Sequence, residues 1–206
     1  MQLLKACLTL TIFVFASASS QAALFDYNLI GTAGPGLLPG NEPGAITGGT
    51  GGEIGLGIRL DDLGDADPNT NTLKISVGWG SSQGFTNLSS LANNSHIHGP
   101  TPANNGNNGV SDFTQTTGVF FTLTRSSDAV TGGTIIQDIT GFTATNVTDL
   151  NNGKFYINLH TANNGGGEMR GFIVPVPEPT TVSMAALGAL ALLRTRRNRR
   201  PDARKT

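Results

Sequence analysis

Apolar and polar residues alternate with a period of two through much of the chain, the pattern of strands that bury one face. In residues 53–60, Ile54, Leu56, Ile58 and Leu60 alternate with Gly55, Gly57 and Arg59. Leu73, Ile75, Val77 and Trp79 alternate with Lys74, Ser76 and Gly78 in the same way, and Val119, Phe121 and Leu123 predict a third strand. Phe155, Ile157 and Leu159 predict a fourth, and residues 25–30, 134–139 and 169–174 are less regular candidates. Helical periodicity is nearly absent away from the termini. Residues 145–150 predict a single helical turn, ended by Asn151-Asn152-Gly153. Gly, Asn, Thr and Ser dominate the intervals, as turns between short strands require. The fold class this predicts is all-β, an antiparallel β-sandwich or barrel of about seven or more short strands. Residues 31–52, mostly Gly, Pro, Thr and Leu without alternation, read as a flexible segment without packed structure.

The two ends depart from this pattern. Lys5, an apolar run from Ala6 to Phe15, and small residues from Ser17 to Ala23 follow the order of a secretory signal, with cleavage expected after Ala22. The apolar part is too short to span a bilayer of about 30 Å. At the other end, Val174-Pro175-Val176-Pro177-Glu178-Pro179 is followed by an apolar segment, 180–193, and then by Arg194, Arg196, Arg197, Arg199, Arg200, Arg204 and Lys205. Prolines hold an extended linker, Ala and Leu favour a helix in lipid, and arginines retain the end on the cytoplasmic side. Pro177, Glu178 and Pro179, the short hydrophobic helix and the arginine cluster together resemble a PEP-CTERM sorting signal. That resemblance implies recognition by an exosortase-type membrane enzyme and transient residence in the inner membrane through the C-terminal transmembrane helix. The destination it implies is the cell surface or the exopolysaccharide matrix. A permanent anchor, or a basic tail for anionic partners, are the competing readings. The expected organisation is a signal peptide (1–22), a flexible N-terminal segment with the first strand (23–52), a β domain (53–174) and the sorting tail (175–206).

Composition narrows the chemistry of the central part. The single cysteine, Cys7, lies in the signal, so the processed protein has no disulfide, no cysteine nucleophile and no thiolate metal ligand. The formal net charge of −1 hides a division. Between residues 23 and 179 the cations are only Arg59, Lys74, Arg125, Lys154 and Arg170, against a majority of Asp and Glu. An acidic domain has no face for phosphate neutralisation, so nucleic acid is not an expected partner.

The three histidines fall in two short motifs, Ser95-His96-Ile97-His98-Gly99-Pro100 and Tyr156-Ile157-Asn158-Leu159-His160-Thr161, the second followed by Gly165-Gly166-Gly167-Glu168-Met169-Arg170-Gly171. On a strand, His96 and His98 share one face. His160 lies opposite Phe155, Ile157 and Leu159, in company with Tyr156 and Asn158, while Glu168 and Arg170 share a face. A His-x-His pair with a distant third histidine is a spacing that zinc and copper sites use, with Glu168 as fourth ligand or as acceptor for an imidazole N–H. Alternatively, these groups form a hydrogen-bonded lock between strands, Glu168 pairing with Arg170 or a histidine. Both readings need the two motifs to be neighbours.

His-Ile-His-Gly-Pro, then Gly-Lys-Phe-Tyr-Ile-Asn-Leu-His-Thr and Gly-Gly-Glu-Met-Arg-Gly, resemble the CHRD (chordin-type) domain over about residues 53–174. The resemblance implies an extracellular β-fold and a structural part for Gly99, Pro100, Tyr156, Asn158, Thr161, Arg170 and Gly171. The segment Ala162 to Gly167 lacks the proline usual before Gly-Glu in that family, which implies a looser loop. Growth-factor binding by animal members does not carry over.

Two further features bear on chemistry. Asp61-Asp62 and Asp65-Ala66-Asp67-Pro68-Asn69-Thr70-Asn71 place acidic and amide oxygens at alternate positions, but Thr70 and Ser76 stand where a calcium loop needs Gly and Glu. A turn is the better reading. No serine sits in a Gly-x-Ser-x-Gly elbow, and Trp79-Gly80-Ser81-Ser82-Gln83-Gly84 reads as a turn. The expectation is therefore an exported cell-surface or exopolysaccharide-matrix protein with a structural or interaction role and no enzyme activity. Exopolysaccharide and surface proteins are the candidate partners. The alternative is a metal-binding or superoxide-dismutase-like redox protein using His96, His98 and His160, with zinc or copper.

Overall fold

The computed structural model describes residues 23–31, 33–40, 47–64, 67–102 and 115–177. The expected signal (1–22), Glu178 and Pro179 of the sorting motif, and the apolar and Arg-rich segments after them lie outside the described residues. Among the described residues no helix is long and apolar enough to cross a membrane.

Eleven strands follow in chain order: β1 (Leu24–Gly31), β2 (Gly34–Pro35), β3 (Leu38–Pro39), β4 (Gly51–Glu53), β5 (Ile58–Asp61), β6 (Asn71–Trp79), β7 (Ala92–His98), β8 (Val119–Thr122), β9 (Gly133–Phe142), β10 (Phe155–Thr161) and β11 (Met169–Pro175). Every pairing is antiparallel. β6 is flanked by β9 on one edge and by β4 and β5 on the other; β1 follows β5, and the sheet continues through β11, β10 and β7 to β8. Its two ends approach each other. The Ser126 N–H, just past β8, donates to the Thr134 carbonyl of β9 at 2.9 Å, and Phe120 of β8 packs edge-on against Phe142 of β9 at 5.5 Å. The all-β antiparallel class expected from the alternation is the one formed.

The alternation also sorted the residues by face. Leu73, Ile75, Val77 and Trp79 of β6 are all buried, as are Phe155, Ile157 and Leu159 of β10, and they join a single core cluster with Leu29, Ile97 and Ile173. Each such side chain contributes roughly 1.5–3 kcal/mol of burial free energy. α1 (Ala144–Asn151) replaces the expected single turn with two. Thr143 Oγ1 accepts from the Asn146 N–H at 3.2 Å, Asn146 Oδ1 accepts from the Thr143 N–H at 3.0 Å, and Gly153 with φ 64° closes the far end.

Two expectations are corrected. Residues 53–60 are not one strand: the chain leaves β4 at Glu53, turns, and re-enters the sheet at Ile58. Gly55 and Gly57 have φ of 56° and 69°, so residues that resemble the outward positions of a strand form a left-handed turn, and Leu56 is 72 % exposed. Nor is 31–52 without packed structure. β2 pairs with β1, β3 pairs with β11 at Met169 and Arg170, and Leu37 is fully buried in the core. One buried leucine and a few ladder bonds anchor a segment whose composition shows no alternation. Leu37→Ala is therefore expected to cost about 2–5 kcal/mol, the range for a cavity in a packed core. A chemical-denaturation midpoint unchanged from wild type would return this segment to the class of linkers.

Candidate functional site

The two histidine motifs are neighbours. β7 pairs with β10 so that His96 stands opposite Asn158, His98 opposite Tyr156 and His160 opposite Asn94. β11 lies on the other edge of β10, with Arg170 opposite Asn158 and Phe172 opposite Tyr156. Because strand side chains alternate, Ile97, Phe155, Ile157 and Leu159 point to the apolar core while His96, His98, Tyr156, Asn158, His160 and Arg170 share the opposite face. That second face is covered as well: Tyr156, Asn158 and Phe172 are fully buried and Arg170 is 2 % exposed.

Backbone carbonyls from two loops orient two of the rings. His98 Nδ1 lies 2.9 Å from the Thr117 carbonyl, and His160 Nδ1 lies 2.9 Å from the Gly165 carbonyl. A carbonyl only accepts, so in each ring Nδ1 carries the proton and Nε2 holds the lone pair. His96 Nδ1 is 3.1 Å from His160 Nε2, and within this pair His96 donates. The three rings gather with centroids 5.0–6.1 Å apart. His98 stacks on Tyr156 at 4.9 Å, and the Arg170 guanidinium sits 4.0 Å from the centre of that tyrosine ring. Arg170 Nη2 donates to the Gln115 carbonyl.

Burial chiefly sets the charge state here. Desolvation, reinforced by His160, His98 and Arg125, pushes His96 down to about 4. Desolvation also lowers His98; its bond to Thr117 opposes this and Arg170 adds to it. Both imidazoles are neutral at pH 7.

Glu168 does not join the histidines or Arg170. Its side chain takes five hydrogen bonds elsewhere: Oε1 accepts from the Gly49 and Ser89 N–H groups, both at 2.7 Å, and Oε2 from Ser89 Oγ at 2.5 Å, Thr161 Oγ1 at 2.7 Å and Asn164 Nδ2 at 3.1 Å. Burial opposes the carboxylate, but these donors outweigh it and hold the acid below its ordinary value. The pairings expected between Glu168 and Arg170 or a histidine are thus replaced by a clamp on three loops. The turn through Gly167, φ +119°, precedes β11, so the strand alternation at Arg170 does not extend back to Glu168.

The remaining motif residues allow close approach. A Cβ on Gly99 would lie 2.1 Å from Phe155, and one on Gly171 would lie 2.7 Å from the Gly36 carbonyl. The Pro100 carbonyl accepts from Thr117 Oγ1 at 3.3 Å, which seats the segment that holds His98. The acidic run 61–71 is a turn in its described part: Asp61, Asp62 and Asp67 each accept a backbone N–H two residues on. Residues 81–83 form a short 3-10 turn. Sequence reasoning missed the carbonyls of Thr117 and Gly165 and the donors at Gly49 and Ser89. Main-chain atoms have no residue signature, and Ser89 lies in an unpatterned serine-rich loop.

Comparison with known families divides the chain at the end of β11. Residues 39–173 match the CHRD domain, and residues 175–200 match the PEP-CTERM protein-sorting motif. The chain belongs to the CHRD domain family. Its tail marks it for processing by an exosortase-type enzyme and sorting to the cell surface. No curated protein and no solved structure matches the chain.

Two outcomes are expected. Glu168→Ala strands the buried N–H of Gly49 and the part-buried N–H of Ser89 and should lower unfolding free energy by about 3 kcal/mol, read by denaturant titration. His96 has a folded value of about 4 against 6.5 when exposed, so the unfolded chain binds more protons between these values. Stability should therefore fall as pH drops from 6.5 towards 4. With chelator present, His96→Gln should flatten that slope in thermal melts across the same window; an unchanged slope would place its origin elsewhere.

Proposed function

We propose that the domain is a non-catalytic interaction module of the cell surface, with neutral, hydroxyl-rich exopolysaccharide as its partner. The observation that carries this reading is the state of its cations. Arg59 pairs with Asp26 at 2.9 Å, Lys74 with Asp138 at 3.0 Å, Arg125 with Asp128 at 2.7 Å and Lys154 with Asp149 at 2.9 Å, while Arg170 is buried against Tyr156. Among the described residues no cation is left to build an anion-binding patch. What the loops offer is amides and hydroxyls, such as those of Asn163 and Ser90 beside the Glu168 clamp. Groups of this kind exchange hydrogen bonds with sugar hydroxyls without a counterion cost. Sorting to the surface brings the domain to where such polymers are.

Binding of this kind is insensitive to salt, unlike contacts between exposed charges. The exported protein should co-sediment saturably with exopolysaccharide purified from its own cells, equally at low and high ionic strength. Absence of co-sedimentation, or release by salt, would sink the reading.

A further inference from the structure

The hydrogen-bonded lock accounts for two of the three histidines and not for the third. His96 and His160 satisfy one another across the β7–β10 pair at 3.1 Å. His98 Nε2 is buried, carries a lone pair because Nδ1 is committed to the Thr117 carbonyl, and has no hydrogen-bond partner among the described residues. Asn158 Oδ1 on the same face is likewise buried without a partner among the described residues, its Nδ2 being turned to the Gly166 carbonyl at 3.1 Å. Two orphan lone pairs beside the His96–His160 pair form a surplus of acceptors, and a surplus of acceptors calls for a Lewis acid.

We propose that His96, His98 and His160 bind one divalent transition-metal ion of the zinc or copper class on the outer face of the β7–β10 pair. One ligand nitrogen from each ring lies within 4.8 Å of the other two. Bonds of about 2.0–2.1 Å place the ligands of a tetrahedral ion about 3.3 Å apart, so the 3.1 Å pair already has ligand spacing. Closing the set takes a side-chain adjustment of no more than about 1.5 Å. His98 and His160 present Nε2, with Nδ1–H held by main-chain carbonyls, the arrangement that fixes the tautomer and orientation of ligand imidazoles. His96 presents Nδ1, its proton moving to Nε2 on a ring that is only part-buried. An all-imidazole set suits zinc and copper over magnesium or calcium, which take oxygen ligands. Three protein ligands leave a fourth position for water, with Asn158, opposite His96 and two residues before His160 on β10, as a neighbouring acceptor. Glu168 takes no part, since both of its oxygens are engaged in the clamp.

The test is calorimetric titration of Zn²⁺, and separately Cu²⁺, into the exported full-length chain made without a histidine tag and stripped by chelator. One ion per chain is expected. His98→Ala should weaken binding by more than about 100-fold, beyond the effect of losing an outer hydrogen bond, while the exposed Asp67→Asn should bind as wild type. Because His98→Ala could misfold, wild-type protein loaded with Cu²⁺ gives a second readout: electron paramagnetic resonance should show coupling to three imidazole nitrogens. No stoichiometric ion, unchanged affinity in a folded His98→Ala variant, or coupling to fewer than three imidazoles would each overturn the proposal.

Discussion

β10 is buried along its whole length on both faces, and most of the structure follows from that constraint. Phe155, Ile157 and Leu159 meet it on one side by entering the apolar core. On the other side stand Tyr156, Asn158 and His160, whose polar atoms lose water and must find partners in a medium where an unmet hydrogen bond costs about 1–3 kcal/mol. β7 and β11 supply part of the answer as neighbours in the sheet. The loops supply more, the carbonyls of Gly165 and Gly166 accepting from His160 and Asn158, and that of Thr117 from His98 on the neighbouring β7. Such approach demands small residues: a Cβ on Gly167 would sit 2.1 Å from Asn158 Oδ1.

Around this strand the charged and neutral polar groups have separate tasks. Glu168 is ionised and fully buried, and gathers Gly49, Ser89, Thr161 and Asn164 about one carboxylate. It ties the N-terminal segment and the loop before β7 to the β10–β11 turn, three pieces that are remote in sequence. His96 and His98 stay neutral because burial disfavours their charged form. A neutral imidazole with a free lone pair is a ligand, whereas a protonated one is not. The domain thus separates an anion that stabilises the loops from the lone pairs of His98 Nε2 and Asn158 Oδ1, which have no hydrogen-bond partner among the described residues.

The address of the protein and the chemistry of its surface agree. The CHRD domain covers residues 39–173, and the PEP-CTERM motif at 175–200 marks the chain for sorting to the cell surface. A fold without disulfides in that setting rests on its core and on the buried polar network, since among the described residues no covalent cross-link reinforces it. Its partly exposed cations are held by carboxylates.

By itself the sequence determined the class of fold and, in β6, β7 and β10, the side of the sheet on which the residues stand. A period of two assigns faces without reference to any partner, so Leu73 to Trp79 were legible as core, and His96, His98, Tyr156, Asn158 and His160 as outward residues. The tail was legible for the same reason, its proline, apolar and arginine blocks being local. What covers a face is not local. Only the tertiary structure decided that the outward face of β10 is sealed by loop carbonyls, that Glu168 turns to Gly49 and Ser89, and that Leu37 anchors a segment of unpatterned composition. Main-chain acceptors leave no mark in a sequence, and a glycine between apolar residues reads alike in a strand and in the left-handed turn at Gly55 and Gly57. Periodicity reports the backbone's own geometry, whereas the partners of buried polar atoms are chosen by contacts between residues far apart in the chain.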